Sequence, residues 1–187
     1  MRTVGLPYVV AESAWLWPPR PRNTVRRFLR DRWLARLVAM VRPQVTVETG
    51  VFLGRSTTVL LAASEPWNGI VYSIDISATT PDGHPTGRLV PRALRSRWRL
   101  VIGDSRVELP KLLAGIGDVD LFIHDSDHSR EMMAWEYGQA WPHIRNGGAL
   151  ASDDVRLNDA FDAFSAGIGK RTGVVRSPYG EQAAIFA

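Results

Sequence analysis

The sequence predicts one doubly wound α/β domain in which five parallel strands are followed by a C-terminal antiparallel hairpin. Short β-rich runs alternate with helical stretches from residue 45 to residue 154, and this alternation is typical of a parallel sheet covered on both faces. After residue 172 the pattern changes to two β-rich runs joined at SPYG, and two strands in a hairpin pair antiparallel. A length of 187 residues fits one such domain.

An N-terminal cap precedes the predicted sheet. Residues 1–22 are rich in tryptophan and proline, which favours irregular structure. Asn23 or Thr24 is then expected to cap a helix, because apolar residues recur at helical spacing beyond them. We therefore expect residues 1–43 to form a cap segment with one helix and residues 44–187 to form the main domain.

The elements of the main domain are predicted in order. Strands are expected at residues 45–48, 70–76, 99–104, 119–125 and 149–154. Helices are expected to begin near Ser56, Leu89, Ser105 and Ser129, and a further helix to cover about 158–167 before the hairpin.

Composition excludes several classes of protein. No apolar run reaches the roughly 18 to 20 residues that a membrane-spanning helix needs. Because the chain has no cysteine, it has no disulfide, no thiol nucleophile and no thiolate metal site, which fits a cytoplasmic protein. The net charge is +4 and nearly all basic residues are arginines. We interpret the arginine clusters as solvated helix faces, although a basic stripe can also attract nucleic acid or acidic substrates.

The carboxyl ends of the strands carry the candidate site, because open α/β sheets bind ligands beyond those ends. The first strand leads into ETGVFLGRS, which contains Glu48, Gly50, Gly54 and Ser56. The glycines allow a tight turn and a close approach of ligand to backbone, and Ser56 can cap the next helix. This turn lacks the GxGxxG pattern of dinucleotide sites, and by itself it is equally compatible with a structural role.

Acidic residues end the next two strands. The second strand ends in Asp75, where a carboxylate can accept hydrogen bonds from two vicinal ribose hydroxyls, as it does in NAD sites. The third ends in GDSR, whose Asp104, Ser105 and Arg106 are suited to border an adenine, although an aspartate here is more often a helix cap. Together these residues predict an adenosine ligand.

In this order, the runs ETGVFLGRS, SIDIS, VIGDS, LFIHDSDH and ASDDV resemble the S-adenosylmethionine (SAM) site of catechol and caffeoyl-CoA O-methyltransferases and of related bacterial natural-product enzymes. The resemblance covers residues 44–187. It implies the Rossmann-like fold of class I methyltransferases, in which five parallel strands precede an antiparallel hairpin, and it implies SAM as the methyl donor.

The resemblance also implies a role for each matching residue. Glu48 and the Gly50–Gly54 turn would hold the methionine part of SAM, with help from Ser56, and Asp75 would bind the ribose. The adenine would be edged by Ser105 and Arg106, beside Asp104. Residues 1–43 contain no motif that the resemblance covers.

Three carboxylates are expected to converge where the fourth and fifth strands end: Asp125, Asp153 and Asp154. Like charges this close would repel each other, and a divalent cation relieves the repulsion. Oxygen ligands favour Mg²⁺ or another hard cation. In the metal-dependent relatives the corresponding ligands are Asp, Asp and Asn, so Asp154 keeps an oxygen ligand and adds a charge. The alternative is that these aspartates cap helices or pair with nearby arginines.

His128 is the candidate general base. It follows Asp125 by three residues, where those relatives have a catalytic lysine, and a neutral imidazole can take the acceptor's proton near pH 7 beside the Asp125 carboxylate. A structural histidine bonded to a carboxylate is the alternative interpretation. His84 is a weaker candidate, and His124 is expected to lie in the core.

The resulting hypothesis is metal-assisted O-methylation of a small hydroxylated molecule, of the kind found in bacterial secondary metabolism, with Trp15, Trp17 and the 77–87 loop as pocket walls. The rivals are a metal-independent N- or C-methyltransferase and a module that binds SAM or another adenosine ligand without catalysis. A nucleic-acid methyltransferase is disfavoured, because DSDH stands where amino-directed DNA enzymes carry an NPPY-type tetrapeptide. The expected partner is a small-molecule acceptor, without membrane or nucleic acid, and a homo-oligomer is compatible with the sequence.

Overall fold

A computed structural model describes residues 21–168, 174–176 and 181–187 of the protein. The expectations for Trp15 and Trp17 and for the SPYG turn lie outside the described residues. Within the described ranges, no helix is both long and apolar enough to cross a membrane.

Seven strands form one sheet in the order β3-β2-β1-β4-β5-β7-β6. Neighbouring strands from β1 to β5 pair in parallel, whereas β7 pairs antiparallel with both β5 and β6. The prediction of five parallel strands plus an antiparallel C-terminal pair is therefore confirmed. The strands are β1 Val45–Thr49, β2 Ile70–Asp75, β3 Trp98–Ile102, β4 Val119–His124, β5 Ile144–Ser152, β6 Val174–Arg176 and β7 Ala183–Phe186.

Helices cover both faces of the sheet. The helices are α1 Pro21–Val41, α2 Arg55–Ala63, α3 Ser105–Ile116, α4 Arg130–Ala140 and α5 Ala160–Gly167. Along β4, Leu121 and Ile123 join a core with α1 and α2, whereas Phe122 joins a second core with α3, α4 and α5. Alternation of this kind follows from the two-residue period of a strand, and it explains why β4 is apolar on both sides. The sheet is doubly wound, as predicted.

Three local predictions were wrong. Residues 92–97 form a 3₁₀ helix in place of the helix expected from Leu89, because Pro91 at its start is extended (φ −58°, ψ 142°) and disfavours helical geometry in the residue before it. Asn23 and Thr24 lie inside α1, which already includes Pro21, a residue suited to a first helical turn. Gly54, and not Ser56, precedes α2, without a side-chain cap.

Strand β5 begins five residues earlier than predicted, at Ile144. Its first half contains Gly147 and Gly148, and glycine pairs argue against a strand in the sequence. Here they accommodate an irregular register opposite Val119 and Leu121, and a Cβ on Gly148 would lie 2.8 Å from the Asp120 carbonyl oxygen. Glycine therefore allows β5 to approach β4 closely.

Three arginines of the 3₁₀ helix and of β3 donate hydrogen bonds to backbone carbonyls. Arg97 donates to the carbonyls of Leu61 and Gly69, at 2.7 and 2.8 Å, and so connects the last turn of α2 to the residue before β2. Arg95 and Arg99 likewise donate to carbonyl oxygens in their own segment. These arginines therefore stabilise the local backbone structure.

Candidate active site

A cleft of about 940 Å³ lies at the carboxyl ends of β1 to β4. The loop after each of these strands contributes to its lining, which is the location expected for a ligand of a doubly wound sheet. The loop from 77 to 87 forms one wall through Ser77, Thr79, Thr80, Pro81 and Thr86. Phe52 and Ile76, which also line the cleft, are 53% and 72% exposed, so its mouth offers apolar surface to a flat ring.

The backbone ladder of the sheet continues one residue beyond four of the strands. In each case the first residue after the strand donates its N–H to the carbonyl at the end of a neighbouring strand, at 2.9 Å. We call these four residues the strand-end rim: Gly50, Gly103, Asp125 and Asp153. The rim fixes the backbone where the loops of the site begin.

The glycine turn depends on both of its glycines. Gly50 has φ +82°, and a Cβ there would lie 1.9 Å from the carbonyl oxygen of Asp125. Gly54 has φ +85°, and its Cβ would lie 2.8 Å from the Cα of Gly87. The positive φ and the close approach of backbone both require glycine, so the turn packs against β4 on one side and the 77–87 loop on the other.

Asp75 holds the glycine turn against β2. Its Oδ2 accepts hydrogen bonds from the backbone N–H groups of Val51 and Phe52, both at 2.9 Å, and its Oδ1 accepts from the N–H of Ser77 at 3.0 Å. Asp75 also lines the cleft. Because a carboxylate offers about four lone-pair sites and three of them accept backbone N–H groups, Asp75 retains room for about one further donor, such as a ligand hydroxyl.

The residues that follow β3 separate into two groups. Asp104 and Ser105 line the cleft, and Asp104 also caps α3 by accepting from the N–H of Arg106 at 2.9 Å. The Arg106 guanidinium instead donates to Glu131 at 3.0 Å and lies 5.8 Å from the ring centroid of Trp135. The structure therefore directs Arg106 towards α4, and this residue does not line the cleft.

Glu48 and Ser56 also lie away from the main cleft. Glu48 is fully buried, and its Oε2 accepts from Thr57 Oγ1 at 2.6 Å and Ser73 Oγ at 2.8 Å. Ser56 lines a separate cavity of about 20 Å³, together with Trp33, Asp125 and Asp153. A cavity of this size holds about one water molecule. Asp125 borders both cavities and so separates them.

Asp125 and Asp154 approach the imidazole of His128. The His128 Nε2 atom lies 3.8 Å from Asp125 Oδ1 and 3.8 Å from Asp154 Oδ2. Asp153 is buried beside the small cavity instead. Across residues 21–168, 174–176 and 181–187, no group of three or more His, Asp and Glu side chains has an arrangement that would hold a metal ion. The three predicted carboxylates therefore do not fit a metal as they stand.

Sequence reasoning missed a buried, hydrogen-bonded histidine–glutamate pair behind the cleft. His124 and Glu136 are both fully buried, and His124 Nδ1 lies 2.6 Å from Glu136 Oε2. Burial raises the pKa of Glu136, but the hydrogen bond and charge of His124, with hydrogen bonds from Thr49 and Ser105, hold that pKa below its usual value. A signal existed, because Glu136 is an acid on the face of α4 that also carries the buried Met133 and Tyr137.

The comparisons with known proteins agree with this architecture. A family model described as a methyltransferase domain matches residues 47–155, more than half of the 187-residue chain. No curated protein matches the sequence.

Solved structures of similar fold span nearly the whole chain. They include the SAH-bound methyltransferase PaMTH1 of Podospora anserina, at 18% identity and TM-score 0.68 over 99% of this chain and 90% of that chain. CalS11, a TDP-rhamnose 3′-O-methyltransferase of calicheamicin biosynthesis, has 21% identity and TM-score 0.68 over 99% and 88%. An O-methyltransferase from Bacillus cereus in complex with SAH has 14% identity and TM-score 0.61 over 99% and 93%. At these identities the likeness establishes the fold. The family match over more than half of the chain, on a sheet of this order, makes the protein a member of the methyltransferase-domain family and a class I SAM-dependent methyltransferase.

Proposed function

We propose that the protein transfers a methyl group from SAM to a hydroxyl oxygen of a small molecule. The observation that carries the proposal is the position of Asp125, which lines the large cleft and lies 3.8 Å from the imidazole of His128. A donor and an acceptor that share the cleft beside Asp125 would be close enough for in-line displacement. CalS11 and the Bacillus cereus protein are O-methyltransferases by description, which supports oxygen as the acceptor atom.

The donor end of the cleft supports binding of the adenosine part of SAM. Asp75 retains a lone pair on Oδ1 for a ribose hydroxyl, and exposed Ile76 and Phe52 offer apolar contact to the adenine ring. Glu48 and Ser56 remain proposals for the methionine end, although neither lines the cleft. Arg106 would have to break its hydrogen bond to Glu131 in order to contact the edge of the adenine.

The acceptor end supports a role for His128 in proton transfer. As the acceptor oxygen attacks the methyl carbon, the carbon–sulfur bond breaks, its electron pair stays on sulfur, and the hydroxyl proton passes to the imidazole. Asp125 and Asp154 would orient the ring and stabilise its charge once it is protonated.

A divalent cation on Asp125, Asp153 and Asp154 remains a proposal of its own. The carboxylates do not form a ligand set in the described arrangement, so no step above passes through a metal. Chelation tests the metal separately. Loss of turnover at unchanged SAH affinity, restored by Mg²⁺, would support it, and full turnover after exhaustive chelation would remove it.

The experiment for the proposed function is a screen of hydroxylated acceptors with SAM, read by mass spectrometry for products heavier by one methyl substitution. On the acceptor that is found, His128→Ala should lower kcat roughly 10² to 10⁴-fold, the usual contribution of a general base. His143→Ala is the matched control, because His143 lies before β5, at the far end of that strand from the cleft. SAM binding without turnover on any acceptor would instead favour a non-catalytic SAM-binding module.

A further inference from the structure

The buried pair Glu136–His124 lies directly behind the loop that follows β4. Both oxygens of the Glu136 carboxylate accept hydrogen bonds. Oε2 accepts from Thr49 Oγ1 at 2.5 Å and from His124 Nδ1 at 2.6 Å, and Oε1 accepts from Ser126 Oγ at 2.9 Å. One helical residue therefore connects the ends of β1 and β4 and the loop after β4.

We infer that Glu136 is a positioning residue for methyl transfer, and that it acts through His124 and Ser126. These two residues flank Asp125 in the chain, so their hydrogen bonds to one rigid carboxylate fix the backbone from which Asp125 projects. The inference rests on the proposed roles of Asp125 and His128, because it concerns how those side chains are held.

The His124 ring also contacts the ring of His128. The two rings meet edge to face, with centroids 5.4 Å apart and an interplanar angle of 82°. Because a carboxylate only accepts, the pair with Glu136 keeps a proton on His124 Nδ1 and fixes the plane of the ring. The Nε2 atom of His124 has no hydrogen-bond partner among the described residues, so Glu136 supplies the one polar contact that orients this ring.

The alternative is that the pair only stabilises the core. Breaking a buried pair that contains a carboxylate is costly wherever it occurs, so loss of stability alone does not separate the two interpretations. A second buried carboxylate, on the strand that carries His124, provides the comparison. Asp120, at the start of β4, is 7% exposed, accepts from the N–H groups of Gln44 and Val45 at 2.7 Å each, and pairs with Arg145. It lies at the opposite end of β4 from the cleft.

The test compares Glu136→Gln with Asp120→Asn. A glutamine amide has nearly the shape of the carboxylate but one acceptor oxygen, so it cannot receive the donors that now reach both oxygens. Both variants should unfold at lower temperature than the wild type. Only Glu136→Gln should alter the side-chain ¹⁵N resonances of His124 and His128, which are assigned among the four histidines by single replacements.

Affinity and rate provide two further readouts. For Glu136→Gln we expect SAH to bind about fivefold more weakly, the effect of one lost hydrogen bond, that of Ser126. Once an acceptor has been identified, kcat of Glu136→Gln should fall about 10- to 100-fold, as is typical when a residue that orients a functional group is lost. KM for SAM should rise by the same factor as the dissociation constant of SAH. Ser126→Ala leaves the hydrogen bond between His124 and Glu136 in place and should reproduce part of the loss of SAH affinity, so it serves as the test if Glu136→Gln does not fold.

Unchanged histidine resonances and SAH affinity in Glu136→Gln, or equal changes in Asp120→Asn, would overturn the inference. If Glu136→Gln does not fold, wild-type SAH affinity in Ser126→Ala would overturn it. These readouts need no acceptor, so they decide the role of Glu136 even if O-methylation fails. A failed acceptor screen with altered histidine resonances would count against the proposed function alone.

Discussion

Gly50 and Gly83 differ in surroundings although both have a left-handed backbone, with φ +82° and +81°. A Cβ on Gly50 would lie 1.9 Å from the Asp125 carbonyl oxygen, whereas a Cβ on Gly83 would meet nothing within 4 Å. We expect Gly83→Ala to lower the free energy of unfolding by about 1 to 2 kcal/mol, the cost of the backbone conformation alone. Gly50→Ala should cost clearly more and weaken SAH binding. Urea denaturation and calorimetry measure both, and equal effects would contradict the steric argument.

Asp75→Ala should weaken SAH binding by roughly 1 to 3 kcal/mol, the range for hydrogen bonds to a charged group. Part of this loss would come from the turn, because Asp75 accepts from the N–H groups of Val51 and Phe52. Asp118→Ala is the matched control, since it removes the same charge from an exposed residue just before β4. Calorimetric titration with SAH tests the pair, and a control that loses as much affinity would count against the assigned role of Asp75.

Sequence patterns identified the positions of the site better than the direction of its side chains. Asp75, Asp104, Ser105 and Asp125 line the cleft, because strand ends converge wherever the sheet is parallel. Direction depends on partners distant in sequence. Arg106 turns away because α4 offers Glu131 and Trp135, which are 25 and 29 residues further along the chain.

At the scale of the elements, α4 makes the stability of the protein depend on pH. The pKa of Glu136 in the folded protein lies below its ordinary value of 4.5, so its ionised form stabilises the fold above about pH 4.5, and this contribution disappears as the pH falls through the lowered pKa. Glu136→Gln cannot titrate. We therefore expect the difference in unfolding free energy between wild type and Glu136→Gln to be largest at neutral pH and to shrink in acid. Urea titrations at several pH values measure it, and a constant difference would show that Glu136 does not titrate as inferred.

The elements that sequence reasoning missed depend on local partners rather than on periodicity. The segment after Val90 has a helical composition, yet Pro91 and the arginine contacts to nearby carbonyls make it a 3₁₀ helix. The strands of the parallel core were predicted well because burial on both faces leaves long apolar runs. Gly147 and Gly148 hid the first half of β5.

At the scale of the whole molecule, the described part of the sheet carries a hydrophobic core on each face and the large cleft at its carboxyl edge. Two of the strands that lead into the cleft, β2 and β4, contribute buried residues to both cores, and all residues of β4 are buried. The site is therefore supported by rigid elements from both faces of the sheet. Family membership and fold followed from the order of the elements, whereas the identity of the acceptor depends on side chains at the cleft.

The strand-end rim should slow the hydrogen exchange of its own amides. Amides in loops usually exchange quickly, but the N–H groups of Gly50, Gly103, Asp125 and Asp153 are bonded within the sheet. We expect these four amides to exchange with deuterium as slowly as those of the strands, before any ligand is added. SAH should then slow exchange mainly in the 77–87 loop. A rim that is already ordered leaves little conformational entropy for the ligand to remove, so more of the contact energy is available as affinity.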